Sequence, residues 1–253
     1  MNQQQKLPNA ITMLNHAGSI YQKAFGKFLL VGIIALIPLE LVRAFETYLD
    51  PIIYFALAIV AVILLFSGEL TLYYLAADHN LHIGQAWKLG LKKFFPFLWT
   101  SIIVGLATVA GYLLIIPGFI FSIWFSLTSA VVAFEHISSA AAMARSRDYV
   151  KGRFWEVFRK LLLIGVIAGG LSTIASGIGK YVDSVFGKGL SIVFGVLILP
   201  LSTIYIVQVY AHIKNLSEIP SKNHTGFRAF LWICALIGLA IPAVLIAYYL
   251  THK

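Results

Sequence analysis

The chain of 253 residues carries only ten Asp and Glu, seven His and one Cys, so acid–base, nucleophilic or metal chemistry would rest on very few side chains. The densest polar groups are Asp78, His79 and His82, then Glu135 with His136, and His212 by itself. Imidazole and carboxylate are suitable metal ligands. No pair here has the tight helical spacing of a zinc site, and no metal is expected. The sequence holds no glycine-rich phosphate loop, no nucleophile elbow and no His-Glu-x-x-His. A single cysteine, Cys234, excludes an intramolecular disulfide and a cysteine ligand set. These residues point away from an enzyme, and no cofactor is implied.

Two carboxylates matter for where they fall. Glu69 and Glu40 lie inside strongly apolar sequence, where a charge at the bilayer centre costs at least ~2.5–3.5 kcal/mol. At a helical rise of ~1.5 Å per residue, Glu69 lies about 12 Å from the end of its apolar run, and Glu40 about 18 Å from the start of the preceding one. Such depths allow both to face one polar interior. Glu69 is then either a protonatable coupling or substrate group, with Ser67, Thr71 and Gln208 as neighbours, or a hydrogen-bonded carboxyl that packs helices. The second use is the one expected, since no acidic pattern repeats.

The third group is basic. Arg145, Arg147, Lys151 and Arg153 follow Ile137, Ala141 and Ala144, which share one helical face, and Gly152 is placed to end that helix in a left-handed cap. Phe154 and Trp155 come next, aromatic types that favour the headgroup layer. The pattern predicts a surface-lying amphipathic helix over Ser138–Lys151 that, with Arg153 just beyond it, brings four cations to anionic headgroups, each contributing ~1 kcal/mol. A plain topology signal explains the same residues.

The elements that must position these groups are membrane spans. Sixty per cent of the chain is apolar and 11% charged, against about 25% charged in a soluble domain. The mean hydropathy is +0.87. A disordered tail, a coiled coil and a disulfide scaffold are excluded with the soluble globule. A hydrocarbon core of ~30 Å needs about 20 helical residues, and runs of roughly that length fall at Phe28–Val42, Ile52–Ala77, Phe94–Ile116, Phe119–Phe134, Leu161–Ile178, Leu190–Tyr210 and Phe227–Leu250. They lack the alternation of a membrane barrel. Pro38 and Pro117 are candidate kinks or ends, and Pro200 and Pro242 candidate kinks. No cleaved signal peptide is read in the polar segment before Phe28.

With the N-terminus cytoplasmic, fifteen of the nineteen Lys and Arg fall on the cytoplasmic side, and only Arg43, Lys180, Lys188 and Lys253 outside. The formal charge of +9 is thereby explained by orientation and lipid, with no nucleic-acid partner. The division reads as a cytoplasmic segment 1–27 with an amphipathic helix, a six-helix module 28–213, and a loop with an added span 214–253.

A repeat runs through the module. Gly26-Lys27-Phe28, Lys92-Lys93-Phe94 and Gly152-Arg153-Phe154 each follow an aromatic or basic helix by a few residues, with anchor phenylalanines 66 and then 60 positions apart. Three units result, each a short amphipathic helix leading into a helical hairpin. Gly165, Gly169, Thr173 and Gly177 form a ladder that lets another backbone approach, inside the bundle or from a second copy. Burial inside the bundle is the expectation.

Leu113-Leu-Ile-Ile-Pro117-Gly118-Phe-Ile-Phe, followed by Ala142-Met-Ala-Arg-Ser146-Arg-Asp-Tyr-Val-Lys-Gly152-Arg-Phe-Trp155, resembles the YciC-type family of bacterial inner-membrane proteins. It is equally similar to the membrane domain attached to some glycerophosphoryl diester phosphodiesterases. The resemblance covers residues from about 18 to 213. It implies a six-helix membrane module in a bacterial inner membrane and no reaction, because the phosphodiesterase-linked relatives carry their chemistry in a separate soluble domain. Phe227–Leu250 departs from the six-helix pattern and is expected to pack outside it. The function expected is a non-enzymatic integral membrane module that binds lipid, anionic lipid included, or a membrane-protein partner. The alternative is a small transporter or permease for a lipophilic or cationic solute.

Overall fold

A computed structural model describes residues 7–181, 184–216 and 225–251. Lys6, Asp183, Lys222 and Lys253 lie outside the described residues. Every described element is a helix: α1 (Ala10–Lys23), α2 (Phe25–Ala44), α3 (Pro51–Ala77), α4 (Ile83–Tyr112), α5 (Ile116–Trp124), α6 (Thr128–Glu135), α7 (Ser139–Val150), α8 (Phe154–Tyr181), α9 (Ser184–Leu216) and α10 (Thr225–Thr251). Six stretches are long and apolar enough to cross a bilayer, namely α2, α3, α4, α5 together with α6, Phe154–Ala175 of α8 and Phe186–Leu216 of α9. The chain is an all-α, multi-pass membrane protein. The seventh expected span is the helix α10, whose apolar stretch Thr225–Ala240 is shorter than the other six.

Local sequence explains the boundaries. Asp50 caps α3 by accepting the Ile52 amide at 2.8 Å, with Pro51 in the first turn, where a missing N–H costs nothing. Pro38, Pro96 and Pro200 all lie within continuous helices. The fourth span is the exception. It stops at Trp124 and restarts at Thr128, a break that the hydropathy pattern did not reveal.

Three repeated units are visible as α1-α2-α3, α4-α5-α6 and α7-α8-α9. The leading helix is separate in the first and third. In the third, Gly152 takes φ +88° and ends α7, as its place in the sequence predicts. The second unit carries Lys92 where the third has Gly152, and its leading segment runs unbroken into the span as α4.

The chain forms two compact units, the first made of the chain up to Phe94 with Arg159–His212, the second of Phe95–Phe158 with the chain from Ile213 onward. In the first unit, helices approach through small residues. A Cβ on Gly68 would lie 2.7 Å from the Ala35 Cβ, and one on Gly90 3.0 Å from the Ser67 carbonyl. Gly32 faces the Val196 carbonyl at 3.0 Å by the same measure. That carbonyl has lost its helical donor to Pro200, four residues on, so the proline exposes an acceptor where glycine lets a backbone come close.

In the second unit the core joins Ile103, Ala107, Phe121, Phe125, Ala140 and Met143 to Leu231, Cys234 and Ala235 of α10. Leu231 is fully buried. Thus α10 packs one face, with Leu231, Cys234 and Ala235, onto this core. Alanines on α4 and α7 leave it room, and a Cβ on Gly238 would strike the Leu106 carbonyl. The glycine ladder of α8 is a second departure. Gly165, Gly169 and Gly177 have nothing within 4 Å of a Cβ position, and Gly165, Gly169 and Thr173 are exposed.

Candidate functional site

The basic set divides by environment. α7 is packed deeply against its neighbours: Ala140, Ala142, Met143, Ala144, Ser146, Tyr149 and Val150 are all buried. Its alanines and Ser146 let it sink between α5, α6 and α10, so two of its cations find partners inside. Arg145 Nε donates to Glu135 Oε2 at 3.1 Å, and the Tyr149 hydroxyl donates to Glu135 Oε1 at 2.5 Å. Lys214 Nζ lies 3.9 Å from the same carboxylate. Arg147 lies over the Phe227 ring at 4.0 Å and the Trp124 ring at 4.9 Å, with its Nε buried and unpaired.

Lys151 and Trp155 are exposed and Arg153 half-buried, on the turn that Gly152 makes. Trp155 is steadied edge-on by Phe154 and Phe158. Of these four cations, Lys151 and Arg153 thus lie together on a rim, whereas Arg145 packs against Glu135 and Arg147 against Trp124 and Phe227. Burial, with the Glu135 hydrogen bond behind it, pushes the Tyr149 phenol up to about 12.

The two intramembrane carboxylates do not converge. Gly68 meets Ala35, which sets the level of Glu69 on α2. Glu40 lies five residues beyond Ala35, and in an antiparallel pair the two carboxylates are offset by about 9 Å along the axis. Glu40 accepts from Arg43 at 2.8 Å near the end of α2. Glu69 is half-buried, and among the described residues nothing hydrogen-bonds to its carboxylate. Its proposed neighbours are engaged elsewhere. Ser67 and Thr71 donate to carbonyls of their own helix at 2.6 and 2.7 Å. With its amide turned so that donors meet acceptors, Gln208 brackets the Met13 carbonyl and Ala17 amide of α1, each at 3.0 Å.

The other polar groups act as helix-end chemistry. Asp78 accepts the Asn80 amide and His82 Nδ1 the Gly84 amide. Lys27, the first anchor cation, donates to the carbonyls of His79, Asn80 and Leu81 at 3.0–3.3 Å, holding the turn after α3. Among the described residues no three His, Cys, Asp or Glu side chains gather as ligands.

Sequence reasoning missed the broken fourth span. One loose end is tied from α7, where Ser146 donates to the Trp124 carbonyl at 2.6 Å; the start of α7 is tied in turn to α4, its Ser139 amide donating to Thr100 Oγ1 at 2.7 Å. The Pro117-Gly118 step has a similar steric reason, since a Cβ on Gly118 would lie 2.5 Å from the Tyr112 ring. Beside the break is a cavity of about 210 Å³ between α4 and α6. The only sequence signal for it is Ser126, Thr128 and Ser129 at mid-span opposite Thr100 and Ser101.

No protein-family model, curated protein or solved structure matches the chain.

Proposed function

We propose that the protein is a non-enzymatic membrane module that binds anionic lipid at the rim formed by Lys151, Arg153 and Trp155. The single observation that carries this reading is the turn at Gly152, which leaves Lys151 and Trp155 exposed while neighbouring cations are taken up inside. A lysine beside a tryptophan matches the headgroup layer, charge for phosphate and ring for the interface. The charge count supports a cytoplasmic N-terminus and this rim on the cytoplasmic face. The motif resemblance supports a YciC-type protein of a bacterial inner membrane.

The test is the double substitution Lys151→Gln with Arg153→Gln. Co-purified anionic phospholipid, counted by mass spectrometry at low salt, falls several-fold, and raising the salt has the same effect on the parent protein. Unchanged retention in the variant sinks the reading. Transport of a lipophilic or cationic solute is the second reading, and Glu69 favours it, a half-buried carboxylate without a described partner in mid-span. Glu69→Gln keeps shape and removes charge. A growth or uptake phenotype lost with folding intact supports that reading, and an unchanged phenotype removes it.

A further inference from the structure

In a membrane-buried helix, a serine or threonine hydroxyl ordinarily donates to the carbonyl three or four residues earlier. Ser67, Thr71, Thr100, Ser122, Ser172 and Thr203 all do so here. Ser101, Thr128 and Ser129 do not: among the described residues none of the three hydroxyls has a hydrogen-bond partner. Thr128 is 3% exposed, and its Oγ1 is buried and unpaired. All three line the same cavity of about 210 Å³. An orphaned buried hydroxyl costs free energy unless something meets it. One such hydroxyl, with the half-buried and equally unpartnered Ser101 and Ser129 around the same space, points to an occupant.

The lining defines the occupant's chemistry. It contains no ionisable side chain, and its remaining walls include Phe125 and other apolar groups, so a charged ligand would be desolvated without compensation. Hydroxyls both donate and accept, which suits an alcohol. A dry cavity of ~150 Å³ holds benzene, so this one takes a molecule of similar size. Access is at Gly105, which is exposed and has nothing within 4 Å of a Cβ position. Unwound backbone at membrane depth occurs where it is buried in protein or lines a cavity, and the break between α5 and α6 adjoins this one. We infer that the second unit binds a small uncharged alcohol, one or two hydroxyls on a short carbon chain, in the cavity beside the broken span, held by Ser101, Thr128 and Ser129.

The probe is a diazirine analogue of 1-butanol, photolysed with the detergent-purified full-length protein and mapped by mass spectrometry. Adducts on the segments around Thr100–Gly105 and Phe125–Val132 saturate and are competed by excess 1-butanol. Thr128→Val, nearly isosteric, lowers labelling at least fivefold, and Gly105→Leu, which fills the mouth, abolishes it. Ser101→Ala is a milder variant that lowers labelling should either of the others fail to fold. Three results would each overturn the inference. One is labelling that does not saturate. Another is labelling competed by phospholipid but not by butanol. The third is labelling lost in Gly105→Leu yet unchanged in both Thr128→Val and Ser101→Ala, which would mean an apolar gap without hydroxyl recognition.

Discussion

The two units of the molecule solve one problem in different ways. In the first, spans are continuous and approach one another through small residues: Gly68 on Ala35, Gly90 on Ser67, Gly32 on the carbonyl that Pro200 frees. In the second, one span is broken, and free backbone groups in a bilayer must find partners. A short, alanine-rich helix, α7, is driven inward to supply them, and it carries Ser146, Arg145, Arg147 and Tyr149 into the core. The lesson is that a break in one span decides where the polar residues of the next repeat go. Lys27, the anchor cation of the first repeat, holds the turn after α3, whereas its counterpart Arg153 lies on the rim of the third and the polar network there comes from Arg145, Ser146 and Tyr149 of α7.

The sharpest way to break the comparison is to ask a continuous-span interface to accept volume. Gly68→Leu puts a branched side chain where a single Cβ already lies 2.7 Å from Ala35. Overpacking of this kind costs up to roughly 3 kcal/mol, so the thermal midpoint in detergent falls by several degrees or the protein fails to assemble. Gly169→Leu, on the open face of α8, leaves the midpoint unchanged or raises it, since leucine is the better helix former. Equal tolerance at both sites would show that close approach is not what holds the first unit.

That contrast also marks what the sequence made legible. Fold class, spans and the three-fold repeat were readable because hydropathy and anchor spacing are local, and Gly152 because a glycine at a helix end has a local conformational reason. The interior of the second unit was not readable. Arg145 and Arg147 look solvated in sequence, and only the packing of α7 on Glu135, Trp124 and Phe227 brings them in. The glycine ladder, expected inside, lies open at Gly165, Gly169 and Thr173, and among the described residues nothing comes within 4 Å of a Cβ on its glycines. The hydroxyls at Ser101, Thr128 and Ser129 were a weak signal, since serine and threonine are ordinary in membrane helices, and it is the break that leaves them facing a cavity.

A middle-sized effect tests the polar half of the comparison. Glu135 and Arg145 are 12% and 23% exposed, and a hydrogen bond to a charged group in such a place contributes about 2 kcal/mol, so Glu135→Gln lowers stability by about that much. The pH dependence is separate. Folding raises the Tyr149 phenol from 10.0 to about 12, by burial first and the Glu135 hydrogen bond second. A group whose pKa rises on folding stabilises fully below its unfolded value. That contribution is present up to about pH 10 and is lost as pH climbs toward 12. Burial also raises Tyr21, so the measurement is the difference between the parent and Tyr149→Phe. The variant is the less stable at pH 7, and the gap narrows between pH 10 and 12. A constant gap would mean that the Tyr149 phenol titrates the same folded and unfolded.

The smallest effect concerns how α10 is held. Arg147 lies 4.0 Å above Phe227 near the start of that helix, and its buried Nε has no hydrogen bond, so what it contributes is the stacking of a planar, weakly hydrated cation on a ring. Lysine keeps the charge and loses the plane. Arg147→Lys therefore weakens the contact by about 0.5–1 kcal/mol, the usual range of a cation–π pair, a change too small to move global stability clearly. Cys234 offers a local readout, because it lies in the same core as Leu231, 8% exposed. If opening of α10 precedes alkylation, the rate at Cys234 rises about threefold in Arg147→Lys, as that free energy requires, and Lys151→Gln, on the exposed turn, leaves it unchanged. A rate insensitive to Arg147→Lys would mean that the small residues at Ala107, Ala110 and Gly238 hold α10 without the cation, as Gly68 and Ala35 bring α2 and α3 together in the first unit.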